Sequence, residues 1–289
     1  MSNHRGEPST PETNSYQAIL DRMGGLIESG GQEAIDSFID ERLDSLTATA
    51  DSTSVNMLYP IRRGFIAPDT SVKRSFMQLP ELHLNDRAVY QGLFDQIIRF
   101  RKSPGWETQS MRTLVPTAIQ YTIGEYFGNH FGEAESDQAN RQFYFDEDSD
   151  VVNLSQLKGK RLAVCMEKAA VAQNLLSFTG MDCRLVMSNC YLRENQEKPE
   201  LHVFNVFSTD KGNWIYDPTN PRLVMAADGS VLSVGAAAYH ITNEQLHDIL
   251  YTKNLVRVEH QDVTVDTDGR IATTEKSERI YGGAGQSVE

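Results

Sequence analysis

Residues 165–187 read CMEKAAVAQNLLSFTGMDCRLVM, and residues 201–219 read LHVFNVFSTDKGNWIYDPT. The first stretch predicts a helix opened by Cys165, with Met166, Ala169, Ala170, Gln173 and Leu176 along one side. Gly180 stands where a helix C-terminal cap belongs. Cys183–Met187, Leu201–Phe207 and Trp214–Asp217 then read as strands separated by polar turns. One helix followed by several strands, with helices before it, predicts an α+β fold.

Three residues in these stretches carry complementary chemistry. A thiol attacks a carbonyl well only as the thiolate, which a helix N-terminus and a neighbouring imidazolium both favour. Cys165 is predicted at such a terminus, whose free N–H groups also suit a developing oxyanion. His202 is the candidate base, taking the thiol proton and returning it to a leaving group. Asp217 is the candidate for orienting the imidazole and stabilising its charged form. Strand geometry sets a condition on this trio. Side chains alternate faces along a strand, so His202 and Asp217 share a face only if an even number of residues forms the turn within Ser208–Asn213.

Working outward, residues 1–14 are polar and aperiodic and read as a disordered tail. Residues 15–84 form an N-terminal helical and irregular region. Tyr16, Ile19, Leu20, Met23 and Ile27 mark one helix, and Ala34, Ile35, Phe38, Ile39 and Leu43 a second, with Gly30-Gly31 between them. Residues 46–84 read as irregular around Pro60, Pro68 and Pro80. Residues 85–255 form the candidate catalytic core. A helix is expected from a cap at Asn85 to Arg101, and another from about Thr113 to Phe131. Residues 132–150 read as an acidic surface loop. Its Asp146, Asp148 and Asp150 lack the Gly and Glu of a calcium loop, since Val151 and Leu157 occupy those places. Residues 256–289 read as a C-terminal hairpin, Val256–Val265 and Ile271–Ile280 around Thr267-Asp-Gly269, and a flexible tail.

Composition narrows the class. The chain has 289 residues, 39% of them hydrophobic and 23% charged, a globular balance. Its net charge of −13 repels phosphate, so nucleic acid is not an expected partner. With a mean hydropathy of −0.43 and no apolar run of spanning length, no membrane partner is expected either. The N-terminus lacks a secretory h-region. Only three cysteines occur, Cys165, Cys183 and Cys190, with no C-x-x-C pair. Together these point to a reducing, cytoplasmic setting and against structural zinc. Cys183 and Cys190 read as packing residues. His240 and His247, seven apart on an expected helix, lack metal-ligand spacing. Glu167 reads as a first-turn charge complementing the helix dipole. Trp214 is expected to pack over the sheet and shield His202 and Asp217 from water.

The ordered set Cys165-Met-Glu-Lys-Ala-Ala170, Gly180-Met-Asp-Cys-Arg-Leu-Val186, Leu201-His-Val-Phe-Asn-Val206 and Gly212-Asn-Trp-Ile-Tyr-Asp-Pro-Thr219 resembles the transglutaminase-like superfamily with its papain-like core. About 60 residues carry the likeness, and the helix preceding Cys165 fits as part of the core. The resemblance implies a nucleophile at a helix N-terminus packed on an antiparallel sheet. It assigns Cys165 as nucleophile, His202 as base and Asp217 as orienting acid. It implies acyl transfer through a thioester on a peptide or amide substrate, as a protease, amidase or transglutaminase-type reaction with hydrolysis favoured, and it requires no cofactor. Val164 and Val203 depart from the Gly and the aromatic that the family often has there. An upstream oxyanion donor is not marked; Gln156, Tyr126 and Trp106 are the candidates. Two alternatives stand beside this reading. One is a catalytically silent binding or assembly module of the same fold. The other is an arylamine N-acetyltransferase-like enzyme, for which Cys165-Met-Glu167 matches but the preceding Arg-Gly-Gly is absent.

Overall fold

A computed structural model describes residues 16–48, 58–60, 81–83, 86–128 and 151–283. The expected tail at residues 1–14 and the acidic loop at 132–150 lie outside these residues. So does much of 46–84.

The predicted helices form where their apolar spacing puts them. Helix α1 (Tyr16–Ser29) and α2 (Gln32–Ala48) bury Ile19, Leu20, Met23, Ile35, Phe38 and Ile39 in the main core. Helix α3 (Arg87–Arg101) is capped by Asp86, not Asn85: Asp86 Oδ1 accepts from the Ala88 N–H at 2.9 Å. Helix α4 (Met111–Phe127) begins at a Ser110 cap and stops four residues short of the expected Phe131. The stop is Gly128, which takes a left-handed φ of +72° that few other residues tolerate. Helix α5 (Cys165–Phe178) begins at Cys165 as the sequence predicts, and Gly180 follows it with φ +88°. Helix α6 (Asn243–Tyr251) carries a Thr242–Gln245 capping box.

The strands are β1 (Leu58–Pro60), β2 (Glu81–His83), β3 (Val151–Asn153), β4 (Asp182–Tyr191), β5 (Glu200–Thr209), β6 (Gly212–Tyr216), β7 (Arg222–Ala226), β8 (Val231–Gly235), β9 (Ala238–Ile241), β10 (Leu255–Val265) and β11 (Ile271–Gly282). Strands β1–β3 form a small sheet. The other eight form one sheet in the order β8-β7-β10-β11-β4-β5-β6-β9. The architecture is mixed α+β. The sheet departs from the antiparallel expectation at one pair, β7 with β10, which runs parallel. The β10–β11 hairpin stands in the middle of the sheet, next to β4 through the pairs Ile280–Tyr191 and Tyr281–Cys190.

Alternation along β5 sorts its side chains onto two cores. Val203 and Phe207 face the helices, and Asn205 Nδ2 donates to the Ala169 carbonyl of α5 at 3.0 Å. Phe204 and Val206 belong to a second core with Val186, Cys190, Ile215, Val256 and Tyr281, which α6 helps cover through Ile249.

Candidate functional site

The segment before Cys165 is fastened to α4. Gly159 N–H donates to the Tyr126 carbonyl and Arg161 N–H to the Phe127 carbonyl. A Cβ on Gly128 would lie 3.0 Å from the Gly159 carbonyl oxygen, so the two backbones touch. At the start of α5, the Glu167 carboxylate accepts from the Val164 N–H at 2.8 Å. Glu167 therefore does more than complement the dipole: fully buried, it closes the backbone immediately ahead of Cys165. The first N–H groups of α5, Cys165's among them, have no intrahelical acceptor, as at any helix start. Cys165 is half-buried, whereas Cys183 and Cys190 are buried.

The β5–β6 turn has two residues. Thr209 pairs with Gly212 across Asp210-Lys211, so the count is even and His202 and Asp217 share a face. β6 leaves β5 after the Asn205–Tyr216 pair, which opens the flank of β5 at His202. There His202 Nε2 meets Asp217 Oδ2 at 2.9 Å, both side chains buried. This bond leaves Nδ1 as the ring nitrogen for a second partner. Cys165, at the start of α5, lies close enough to add to the upward pull on the imidazole. Among the described residues, the ring's one hydrogen bond within normal limits is the one to Asp217. The structure thus joins His202 to Asp217 directly and sets Cys165 in the neighbourhood of the ring, without a hydrogen bond within normal limits between them.

The electrostatics of the pair follow from its surroundings. Burial by itself pushes the His202 pKa down. The Asp217 charge and hydrogen bond, with Cys165 adding to them, outweigh it and hold the imidazole well above its ordinary value. Burial likewise pushes Asp217 up, but His202, Asn220 and Tyr281 outweigh it and bring the carboxyl down to about 2. Asn220 Nδ2 and the Tyr281 hydroxyl donate to Oδ2 at 2.9 and 3.0 Å, and the Thr219 N–H donates to Oδ1 at 3.1 Å. The other two thiols are pushed up by burial. They lack the exposure that Cys165 has.

Helix α4 holds the Asp-Pro-Thr segment. Gln120 Nε2 donates to the Pro218 carbonyl at 2.9 Å, and the Tyr216 hydroxyl to the Pro116 carbonyl at 3.0 Å. Gln120, Asn205, Asn220 and Tyr281 are site-supporting residues that the sequence reading missed. Gln120 and Asn205 left one signal, a lone amide in an apolar run, between Ile119 and Ile123 and between Phe204 and Val206. Tyr281 left none nearby.

Two expectations are corrected. Trp214 does not shield His202 and Asp217. Three positions from Asp217, it projects from the other face and packs on Phe207 and His240, with centroids at 6.4 and 5.1 Å. Phe204 and Tyr281 flank the pair instead. His240 lies on β9 and His247 on α6, so they share no helix. Among the oxyanion candidates, Tyr126 gives its hydroxyl to Asp86, Trp106 stacks on Phe100 at 4.9 Å, and Gln156 is exposed.

Two grooves are pronounced on the described surface. One, between α6 and the β4–β5 ribbon, is lined by residues including Arg184, Ser208, His247 and Tyr251. Neither groove is lined by Cys165, His202 or Asp217, so the functional reading rests on side-chain chemistry. No cluster of metal-ligating side chains and no helix long and apolar enough to cross a membrane occurs among the described residues. No family model matches the chain, and neither a curated protein nor a solved structure matches it.

Proposed function

We propose that the protein is a cysteine-dependent acyl-transfer enzyme with a papain-like, transglutaminase-like core, acting through a thioester on a peptide or amide substrate. One observation carries the reading. A half-buried thiol at a helix N-terminus neighbours an imidazole whose Nε2 is bonded to a buried carboxylate, in the sequence order Cys165, His202, Asp217.

In this reading His202 accepts the Cys165 proton, and the sulfur attacks the substrate carbonyl carbon. The carbonyl electron pair moves onto oxygen, where N–H groups at the start of α5 receive it. The carbonyl reforms as the carbon–nitrogen bond breaks, and His202 returns its proton to the leaving amine. That leaves a thioester. Water, deprotonated by His202, attacks it and releases a carboxylic acid and the Cys165 thiol. A primary amine in place of water would give a new amide. Asp217 stays ionised throughout and steadies the imidazolium. Hydrolysis is the favoured outcome, and no cofactor enters the steps.

Iodoacetamide near neutral pH tests the nucleophile without a known substrate. Cys165 is expected to be alkylated at least tenfold faster than Cys183 or Cys190, and Cys165→Ala to abolish turnover of a casein substrate while leaving the fold intact. Release of peptides or ammonia would mark hydrolysis, and uptake of a fluorescent primary amine would mark transfer. Equal slow alkylation of all three thiols, or turnover surviving in Cys165→Ala, would defeat the assignment and favour a silent binding module.

A further inference from the structure

Asp217 Oδ2 accepts three side-chain donors at once: His202 from β5, Asn220 just after β6, and the Tyr281 hydroxyl from β11. Tyr281 is fully buried and paired with Cys190 of β4. Its ring packs edge-on against Phe204 at 4.7 Å and lies 6.2 Å from Tyr239. Phe204 in turn lies parallel to His202, with centroids 6.3 Å apart. The phenol is clamped on two sides, so its hydroxyl has one direction to point.

Burial, then Asp217 and Tyr239, push the Tyr281 phenol well above its ordinary range, which keeps the proton on oxygen and makes Tyr281 the donor. A carboxylate on a short side chain rotates about its Cβ–Cγ bond unless both oxygens are held. Thr219 N–H holds Oδ1, and Tyr281 reaches Oδ2 from a different strand than His202 does.

We infer that Tyr281 is a positioning residue of this site: its hydroxyl holds Asp217 Oδ2 in line with His202 Nε2, so that the β10–β11 hairpin completes the machinery begun by α5, β5 and β6. This rests on the acyl-transfer reading. The other titratable groups around the pair are Cys165 from α5, Cys190 from β4, Tyr216 from β6 and Tyr239 from β9, with Arg222 and Arg279 acting on Tyr239. None of these donates a hydrogen bond to Asp217. Removing the hydroxyl costs the ionised carboxylate one donor, so Asp217 becomes easier to protonate.

The full chain provides two measurements. The Nε2–H of His202 is expected as a downfield proton resonance, missing in His202→Gln. In Tyr281→Phe, which keeps the ring and loses only the hydroxyl, that resonance is expected to broaden or shift. The acidic limb of Cys165 alkylation by iodoacetamide is expected to move up by about half to one pH unit. A merely structural role would lower the rate at every pH alike. An unchanged resonance and an unmoved acidic limb in a folded Tyr281→Phe would overturn the inference. In the unmutated chain, a proton–proton contact between the Tyr281 hydroxyl and His202 Nε2–H is expected, and its absence would also overturn it. A perturbed resonance with an inert Cys165 would instead sink the acyl-transfer reading while leaving the Tyr281–Asp217 bond standing.

Discussion

Arg42 donates through Nε to the carbonyl of Phe178 at 3.1 Å, at the far end of the helix that Cys165 begins. A second contact reaches the Ser177 carbonyl at 3.4 Å. The guanidinium thus meets the negative end of the α5 dipole and supplies donors to carbonyls that the helix cannot satisfy itself. Thirteen residue steps of about 1.5 Å put this contact roughly 20 Å from Cys165. Helix α2 therefore braces the back of α5. Arg42→Met is expected to lower stability by about 1–3 kcal/mol in denaturant titration while leaving the alkylation rate of Cys165 unchanged. A fall in that rate matching the loss of His202 would show that α2 reaches the site.

Asp217 and His202 differ in what their removal leaves behind. His202→Ala removes the proton carrier and is expected to lower turnover by about 100-fold or more. Asp217→Ala is expected to lower turnover less, since in the proposed mechanism Asp217 orients and His202 transfers. For stability the order reverses. Asp217→Ala strands Tyr281, Asn220 and His202 without their shared acceptor in a buried site, at a cost of about 2–4 kcal/mol. Turnover of folded protein and thermal midpoints, measured on both variants, check the two rankings together.

The pair also sets two pH edges. Asp217 is depressed to about 2, so its contribution is full above the ordinary carboxyl value of about 4 and is lost as pH falls through 2. His202 is raised, so its contribution is full below the ordinary imidazole value of about 6.5 and fades as pH climbs through the elevated one. Denaturant midpoints are expected to fall at both edges. Asp217→Asn should flatten the acid edge and His202→Gln the alkaline one. Curves that parallel the unmutated protein at both ends would contradict this linkage.

Gly128→Ala tests the seat of the Cys165 segment. The substitution must adopt φ +72° and bring its methyl to 3.0 Å from Gly159, so a loss of more than about 2 kcal/mol is expected. Gly159→Ala at φ +67° meets nothing within 4 Å and should lose only about 1 kcal/mol. Alkylation of Cys165 should slow in the first variant, because the displaced segment leads directly to that thiol. Equal losses in both would show that the backbone contact between the two glycines is slack.

What the sequence made legible was local. The spacing of Met166, Ala169, Ala170 and Leu176 placed α5, and strand alternation turned the positions of His202 and Asp217 into a parity condition that the Asp210-Lys211 turn meets. The misreading of Trp214 came from not applying the same alternation three residues before Asp217. Asn85 and Asp86 are both good caps, and the choice between them depends on which reaches the Ala88 N–H. Tyr281 was out of reach for another reason. It lies 64 residues from Asp217, and no periodicity within β11 says that it will pair with Cys190. The sheet order β7-β10-β11-β4 is set by tertiary packing, which leaves little local trace.

Placing β10–β11 between β7 and β4 has a consequence for how the molecule is born. Strand β4 cannot gain its neighbour on that side until the ribosome has made residue 282, about ninety residues after β4 itself. Contacts so distant along the chain close slowly. A nascent chain that already holds Cys165 and His202 thus lacks one of the three donors to Asp217 Oδ2, the Tyr281 hydroxyl, until β11 is made.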